Sequence, residues 1–423
     1  MKPLLKFSLN LLASVAALVA TQVKAGDLFI LTANDNSLNN ARATGSDLLN
    51  LVDNAINNQA EFSRLNSNDS LHADLTYSGL PNALSFDLSR PPALAGRWRG
   101  QLTGKGGLAK TFEAPTRQGV FDQMRDFLKN EGAAEYAKFL KAISASTKTS
   151  PSDGNPGSVT GTRSFQNFSE YSSTVSETRE EKQSPKAAEG RVGFGVVGDV
   201  GTFRANGLSG TAYALPVSLK FRLSERVGLN FSLPLSYTTL EKAKIFGVGL
   251  NVGVPVKIIQ ARPDNPWSWQ VTPFGGANVS GSKELLVGGL IMDGGLGSVL
   301  TYDFGAVALS FGSQISIYES MELEFNGIKV DPGVSQKIVK NGLKLDVPFK
   351  QRWIFDVYGI HTKYLEAAGV DQYFTFGAEI GYRMLGKPDA PKKKNGYIKV
   401  GAYADVGNGY TSQHVQFGAG WKF

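Results

Sequence analysis

Residues 245–258 read IFGVGLNVGVPVKI. Phe246, Val248, Leu250, Val252, Val254, Val256 and Ile258 fall on one face of an extended chain. Gly247, Gly249, Asn251, Gly253, Pro255 and Lys257 fall on the other. Side chains alternate across a strand, so strict period-two patterning of this length predicts a strand with one apolar face and one small or polar face. The pattern recurs. In 212–223, Tyr213, Leu215, Val217, Leu219, Phe221 and Leu223 oppose Ala212, Ala214, Pro216, Ser218, Lys220 and Arg222. In 227–237, Val227, Leu229, Phe231, Leu233, Leu235 and Tyr237 oppose Gly228, Asn230, Ser232, Pro234 and Ser236. Further strands are expected at 192–203, 267–278, 286–301, 305–317, 321–330, 350–360, 372–384, 396–405 and 412–423, twelve in all.

Strands of a soluble sandwich average about 5–6 residues. About 9–11 residues cross a bilayer when tilted, and these segments reach that length. A transmembrane barrel turns apolar residues to lipid and polar ones to its lumen, and closure removes the unpaired edges that lipid does not tolerate. The polar face here is glycine, serine, asparagine and scattered charge, which suits a lumen better than a solvated sheet surface. Many of the 48 glycines fall on that face. The expected lumen charges include Lys220, Arg222, Lys257, Glu379, Arg383 and Lys399, with Asp199, Asp405 and the ring of His414 on the same face. Trp267, Trp269, Trp353, Trp421 and Tyr382 lie towards strand ends, as an interfacial aromatic girdle requires.

The two chain ends agree with export to a membrane. Lys2 and Lys6 precede an apolar run at 7–20, and Val23 and Ala25 supply the small residues of a signal-peptidase site, so 1–25 is expected to be a cleaved signal peptide. The run is too short to span a bilayer, which takes about 20 residues. Losing Lys2, Lys6 and Lys24 lowers the net charge from +7 to +4, and an exported chain is not expected to bind nucleic acid. At the other end the chain closes SQHVQFGAGWKF. Val415, Phe417, Trp421 and Phe423 alternate with polar residues, and this resembles the C-terminal signature of bacterial outer-membrane β-barrel proteins. The resemblance implies recognition by a barrel-assembly machinery and residence in the outer-membrane lipid bilayer of a Gram-negative bacterium.

Residues 26–147 differ in character. A helix is expected at 46–60 from Leu48, Leu49, Val52 and Ile56, and a hairpin at 71–88. Amphipathic helices are expected at 117–130 and 133–145. The result is a small α+β module, placed in the periplasm with a partner there, in the lumen, or on the surface as a short passenger. Residues 148–190, rich in Ser, Thr, Gly, Pro, Lys and Glu, read as a flexible linker before a barrel at 191–423. This order looks like an autotransporter translocator, in which a segment running through the lumen joins the passenger to the first strand. Residues 148–190 would be that segment, although the module has no β-solenoid repeats.

With both barrel ends on the periplasmic side, Ser224–Arg226, Gln260–Asn265, Thr301–Gly305, 392–394 and 331–348 are expected to be inner connections. The outer connections fall near 206–210, 238–244, 280–284 and 407–410.

Chemistry-bearing motifs are scarce. There is no cysteine, and the three histidines lack companions at metal-ligand spacing. Gly104-Lys105-Gly106-Gly107 fails the phosphate-loop pattern and reads as a turn. No catalytic residue, cofactor or metal site is expected. The functional expectation is a translocator or pore; the alternative is a scaffolding protein whose module binds a periplasmic partner, with an enzyme last.

Overall fold

A computed structural model describes residues 27–35, 40–45, 70–128, 133–172, 192–262, 264–285, 287–325, 328–349, 352–384 and 395–422, with a few positions between 47 and 65. The signal-peptide residues, most of the helix expected at 46–60, the chain at 173–191, the 392–394 lysines and Phe423 lie outside the described residues.

The N-terminal module is built on a six-stranded antiparallel sheet. Its strands are β1 (Phe29–Asn34), β2 (Asn40–Gly45), β3 (Ser70–Tyr77), β4 (Leu80–Ser89), β5 (Trp98–Gly104) and β6 (Leu108–Ala114), in the order β2-β1-β3-β4-β5-β6. The expected hairpin is β3–β4. The other four strands are too short and too polar on one face to be read from the sequence. One sheet face is covered by α1 (Arg117–Asp126) and α2 (Ala133–Ser146). Thr116 caps α1, its hydroxyl accepting from the Gly119 N–H at 3.1 Å. Val120, Phe121 and Met124 turn inward onto Phe86, Leu88, Leu102 and Phe112 of the sheet.

The second sheet is a barrel. It starts at β7 (Val192–Ala205) and continues through β8 (Leu208–Ala214) and β9 (Val217–Arg222), then β10 (Gly228–Leu233) and β11 (Leu235–Leu240). Next come β12 (Ala243–Gly253), β13 (Val256–Ile259), β14 (Trp267–Ser282), β15 (Val287–Asp303) and β16 (Ala308–Met321). A small ribbon follows, β17 (Leu323–Phe325) with β18 (Ile328–Val330). The wall resumes with β19 (Ser335–Phe349), β20 (Trp353–Tyr364), β21 (Gln372–Met384), β22 (Asn395–Gly407) and β23 (Tyr410–Lys422). β23 pairs antiparallel with β7 from Lys422↔Gly193 to Tyr410↔Ala205, which closes the wall.

The wall has twelve spans, because β8–β9, β10–β11 and β12–β13 are each one strand interrupted at Pro216, Pro234 and Pro255. Proline has no N–H to give to a ladder, so pairing breaks there and resumes beyond. The backbone carbonyls still accept: Pro216 from Val197, Pro234 from Gly249 and Pro255 from Gly228, at 2.9–3.0 Å.

The sequence reading misplaced the eighth span. It put a strand at 321–330 and an inner connection at 331–348. The span is β19, and 322–334 is a connection at the opposite end. The misreading has a physical cause: β19 carries Lys337, Lys340, Asn341, Lys344 and Asp346 through its length, so the apolar alternation is broken.

Outward residues of the barrel are large and apolar. Phe246, Leu250, Phe311, Leu343, Phe376 and Phe417 are each about half exposed or more. Such a continuous apolar exterior is what lipid contact demands. The aromatic pairs Trp267–Tyr302, Trp353–Tyr382 and Phe194–Trp421 gather at one end of the wall.

Candidate functional site: the occupied lumen

The chain between module and barrel is not a solvated linker over its described part. Residues 147–158 are packed, and α3 (Val159–Tyr171) follows them inside the barrel. This differs from the flexible segment expected at 148–190, and the reason is the surroundings. A Ser/Thr/Asn-rich stretch cannot build an apolar core, but a polar lumen supplies the hydrogen-bond partners it needs.

Most polar groups of this stretch find partners, one buried Asp153 carboxylate oxygen being the exception. Thr147 donates to the Ser78 carbonyl at 2.9 Å, and Ser78 donates to the Thr149 carbonyl at 3.0 Å. Ser144 and Ser150 hydroxyls meet at 2.7 Å, and the Asn155 amide donates to the Ser150 carbonyl at 2.6 Å. On the barrel side, Tyr364 donates to the Asn155 carbonyl at 3.1 Å, and the Val370 N–H donates to the Gly154 carbonyl at 2.8 Å. Ser158 then caps α3, accepting from the Gly161 N–H at 3.0 Å. Burial pushes the carboxyl of Asp153 up to about 6, against the opposing pull of the Gly154 N–H, Gln336, Thr160 and Lys141.

α3 is pinned to the wall by a buried ionic cluster. Arg163 binds Asp293 of β15 at 2.7 Å, and both side chains are essentially fully buried. The Asn167 amide donates to the other Asp293 oxygen at 2.9 Å and to Tyr318 at 3.3 Å. Asn251 of β12 bonds both Arg163 and Asn167. Glu170, one turn further, pairs with Lys220 at 3.2 Å. The helix fits because the wall is small where it passes. A Cβ on Gly312 would sit 2.5 Å from the Ser172 carbonyl oxygen, and one on Gly253 would strike the Tyr171 ring.

Below the helix the wall carries a charge chain. Lys344 reaches Asp346 and Asp356 at 3.4 Å each, and Lys399 reaches Asp356 at 3.2 Å and Glu379 at 3.4 Å. Of the residues expected in the lumen, Lys220, Glu379 and Lys399 therefore join ion pairs there. Arg222, Lys257 and Arg383 share the inward face nearer the end that carries Val192 and Lys422. Val415, Phe417 and Trp421 face outward. Sequence reasoning did not single out Arg163, Asp293, Lys340, Lys344 or Asp346. Inward parity on β15 would have flagged Asp293, whereas Arg163 had no signal, since it lay in an apparent linker.

The module closes the lumen at the other end. The β14–β15 connection accepts from it twice: the Leu48 N–H donates to the Glu284 carbonyl and the Tyr77 hydroxyl to the Leu285 carbonyl, both at 3.0 Å. Asn206 of the β7–β8 turn donates to Thr147 at 3.1 Å. The Gly369 N–H of the β20–β21 connection donates to the Ser144 carbonyl at 2.8 Å. Leu240, Ala243, Val334 and Tyr410, from the remaining connections at this end, join Tyr77, Phe139 and Ile143 in one buried apolar cluster. Among the described residues, five of the six connections at this end touch the module or the stretch leading from it, Gly333 lying against the Ala137 carbonyl and Gly409 against Lys148.

Apolar outside, polar inside and without a free edge, the wall is an outer-membrane-type β-barrel. Solved structures similar to the chain include the translocator domain of the autotransporter NalP from Neisseria meningitidis. It is 12% identical, covers 60% of this chain and 99% of that one, and has a TM-score of 0.40. The transport unit of the autotransporter AIDA-I from Escherichia coli is 13% identical over 57% of this chain and 92% of that one, with a TM-score of 0.38. The NanC porin is 10% identical over 54% of this chain and 100% of that one, with a TM-score of 0.33. No protein-family profile matches the chain, and no curated protein sequence matches it.

Proposed function

We propose that this chain is a Gram-negative outer-membrane translocator of the autotransporter kind, whose own N-terminal module is its passenger and remains as a cap on the outer mouth. The observation that supports this reading is the path of the chain. The module and the stretch leading from it touch five of the six connections at one end of the barrel, and Val192 and Lys422 lie at the other. α3 runs down the lumen between them, with Asn155 and Gly157 just before it beside Tyr364 and Tyr410 and its end beside Gly253 and Gly312. A chain exported through its own barrel would come to rest in this arrangement. Even strand number puts both barrel termini in the periplasm, so the module would be outside. The bilayer and a barrel-assembly machinery are the partners this reading requires. It assigns no enzymatic step.

The pore reading makes a different demand on the same lumen. In planar bilayers the full-length protein should be closed or nearly so, and a variant lacking residues 27–172 should conduct. Equal conductance of the two would contradict a lumen held shut by α3 and the module.

A further inference from the structure

Beside α3 the lumen holds a space that reaches from Asn167 and Asn251 to Asp199 and His414. One wall is made of small side chains from three consecutive spans, among them Ala212, Ala214 and Ser232. The adjoining stretch of wall, β22, β23 and β7, carries Tyr403, His414 and Asp199, with Asp199 paired in register to Ala214. His414 binds one Asp199 oxygen at 2.8 Å and lies flat on the Tyr403 ring, with centroids 4.3 Å apart and planes 7° from parallel. Phe165 of α3 stacks on the other side of Tyr403 at 4.7 Å.

The second oxygen of Asp199 has no hydrogen-bond partner, although the residue is only 8% exposed. A buried carboxylate oxygen without a donor is costly, and this one borders open space. The lining carries three carboxylates, from Glu170, Asp199 and Asp405, and His414 lies between the last two, 2.8 Å from Asp199 and 3.8 Å from Asp405. Nearby ammonium groups are held elsewhere. Lys220 pairs with Glu170, and Lys340 donates to Thr362 and Tyr373. Asp405 already accepts from Thr375 and Ser412. Val197, Glu170 and Gln416 also border the larger space above Lys399.

From this geometry we infer a luminal binding site for a small organic cation bearing a primary ammonium. Its N–H donates to the free Asp199 oxygen, and its carbon frame lies against Phe165 and the small side chains that border the space. The small wall leaves room for a few heavy atoms.

The test is calorimetric titration of the full-length protein in detergent with ethanolammonium chloride, using sodium acetate at equal ionic strength as the anionic control. Saturable binding of about one ethanolammonium per chain is expected, and none of acetate. Asp199→Asn should weaken binding at least tenfold, in line with loss of a charge-assisted hydrogen bond. Ser232→Leu, which fills the space from its small-residue side and leaves the carboxylate intact, should weaken it too. Heat-modifiable migration on a gel reports that each variant is folded. Absence of saturable binding by the folded wild type, equal binding of acetate, or undiminished binding by both folded variants would overturn the site.

Discussion

The two sheets of this protein alternate with the same period and opposite sign. In the module, β3, β4 and β5 send Leu75, Leu88 and Leu102 into a core and leave His72, Asp87 and Gln101 to water. In the barrel, β12 sends Leu250 and Phe246 outward and keeps Asn251 and Gly247 inside. One sheet is stabilised by burying apolar surface from water, the other by lipid around its exterior and by paired polar groups within. Mutations of the same chemical kind should therefore have opposite consequences in the two parts.

The largest effect is expected at the polar interior. Asp293→Ala leaves Arg163 buried and unpaired, which typically costs about 3–5 kcal/mol. Asp87→Ala, at a side chain 56% exposed on the module, should cost less than about 1 kcal/mol. Urea titration of the intact protein in one detergent, followed by heat-modifiable migration, compares the two directly. Equal losses would show that the lumen cluster does not hold α3.

Phenylalanine truncation reverses the ranking. Phe139 is fully buried at the module–barrel seam, and Phe139→Ala should cost about 3–5 kcal/mol. Phe246 is 60% exposed on the barrel exterior, and Phe246→Ala should change stability in detergent by less than about 1 kcal/mol. A larger loss at Phe246 would place it in a packed interface rather than against lipid.

The seam between the two parts should respond to pH. The Asp153 carboxyl is raised from the ordinary aspartate range to about 6 by burial. Its contribution to docking is fully present below about pH 4 and is lost as pH rises through about 6, because the docked form then holds an unfavourable charge. Asp153→Asn should remove that dependence and strengthen docking at neutral pH by up to about 3 kcal/mol. Protease susceptibility of the module, measured from pH 4 to 8, reads this out. An unchanged pH profile in the variant would assign the dependence to another group.

The smallest effect lies on the module's exposed face. His72 is held above its ordinary range by its hydrogen bond to Asp87, opposed by partial burial and helped by Asp74. The ring nitrogens lie 2.7 Å from Asp87 and 3.0 Å from Asp74. This pairing stabilises the sheet below about pH 6.5 and fades as pH rises through the raised value. The histidine side chain is 39% exposed, so solvent screening keeps the gain to a fraction of a kcal/mol. His72→Gln should flatten a shallow thermal-shift profile between pH 5 and 8.

This difference in sign also explains what could be read from the sequence. Long, strict alternation such as 245–258 reveals a strand, and its length together with the small polar face reveals which side meets lipid. β19 escaped because its inward and outward faces both carry polar residues, which only the register Asn341↔Ser313 and Lys340↔Gln314 makes sensible. β1, β2, β5 and β6 escaped because each has only six or seven residues, too few for the period to stand out. α3 escaped for a different reason. Its composition is that of a solvated linker, and the partners that order it, Asp293 and Asn251, lie 130 and 88 positions from Arg163. Composition reports what a segment can do in water, not what it does inside a polar lumen.

The central claim is that the module sits outside the cell and the barrel termini inside. The chain has no cysteine, so one introduced thiol is a unique label. Gln101→Cys lies on the exposed face of the module, and Glu225→Cys lies in the β9–β10 turn at the opposite end of the barrel. Intact cells treated with a membrane-impermeant maleimide should label Gln101→Cys fully, and Glu225→Cys only after the outer membrane is permeabilised. Labelling of Glu225→Cys but not Gln101→Cys on intact cells would put the module in the periplasm and contradict the account.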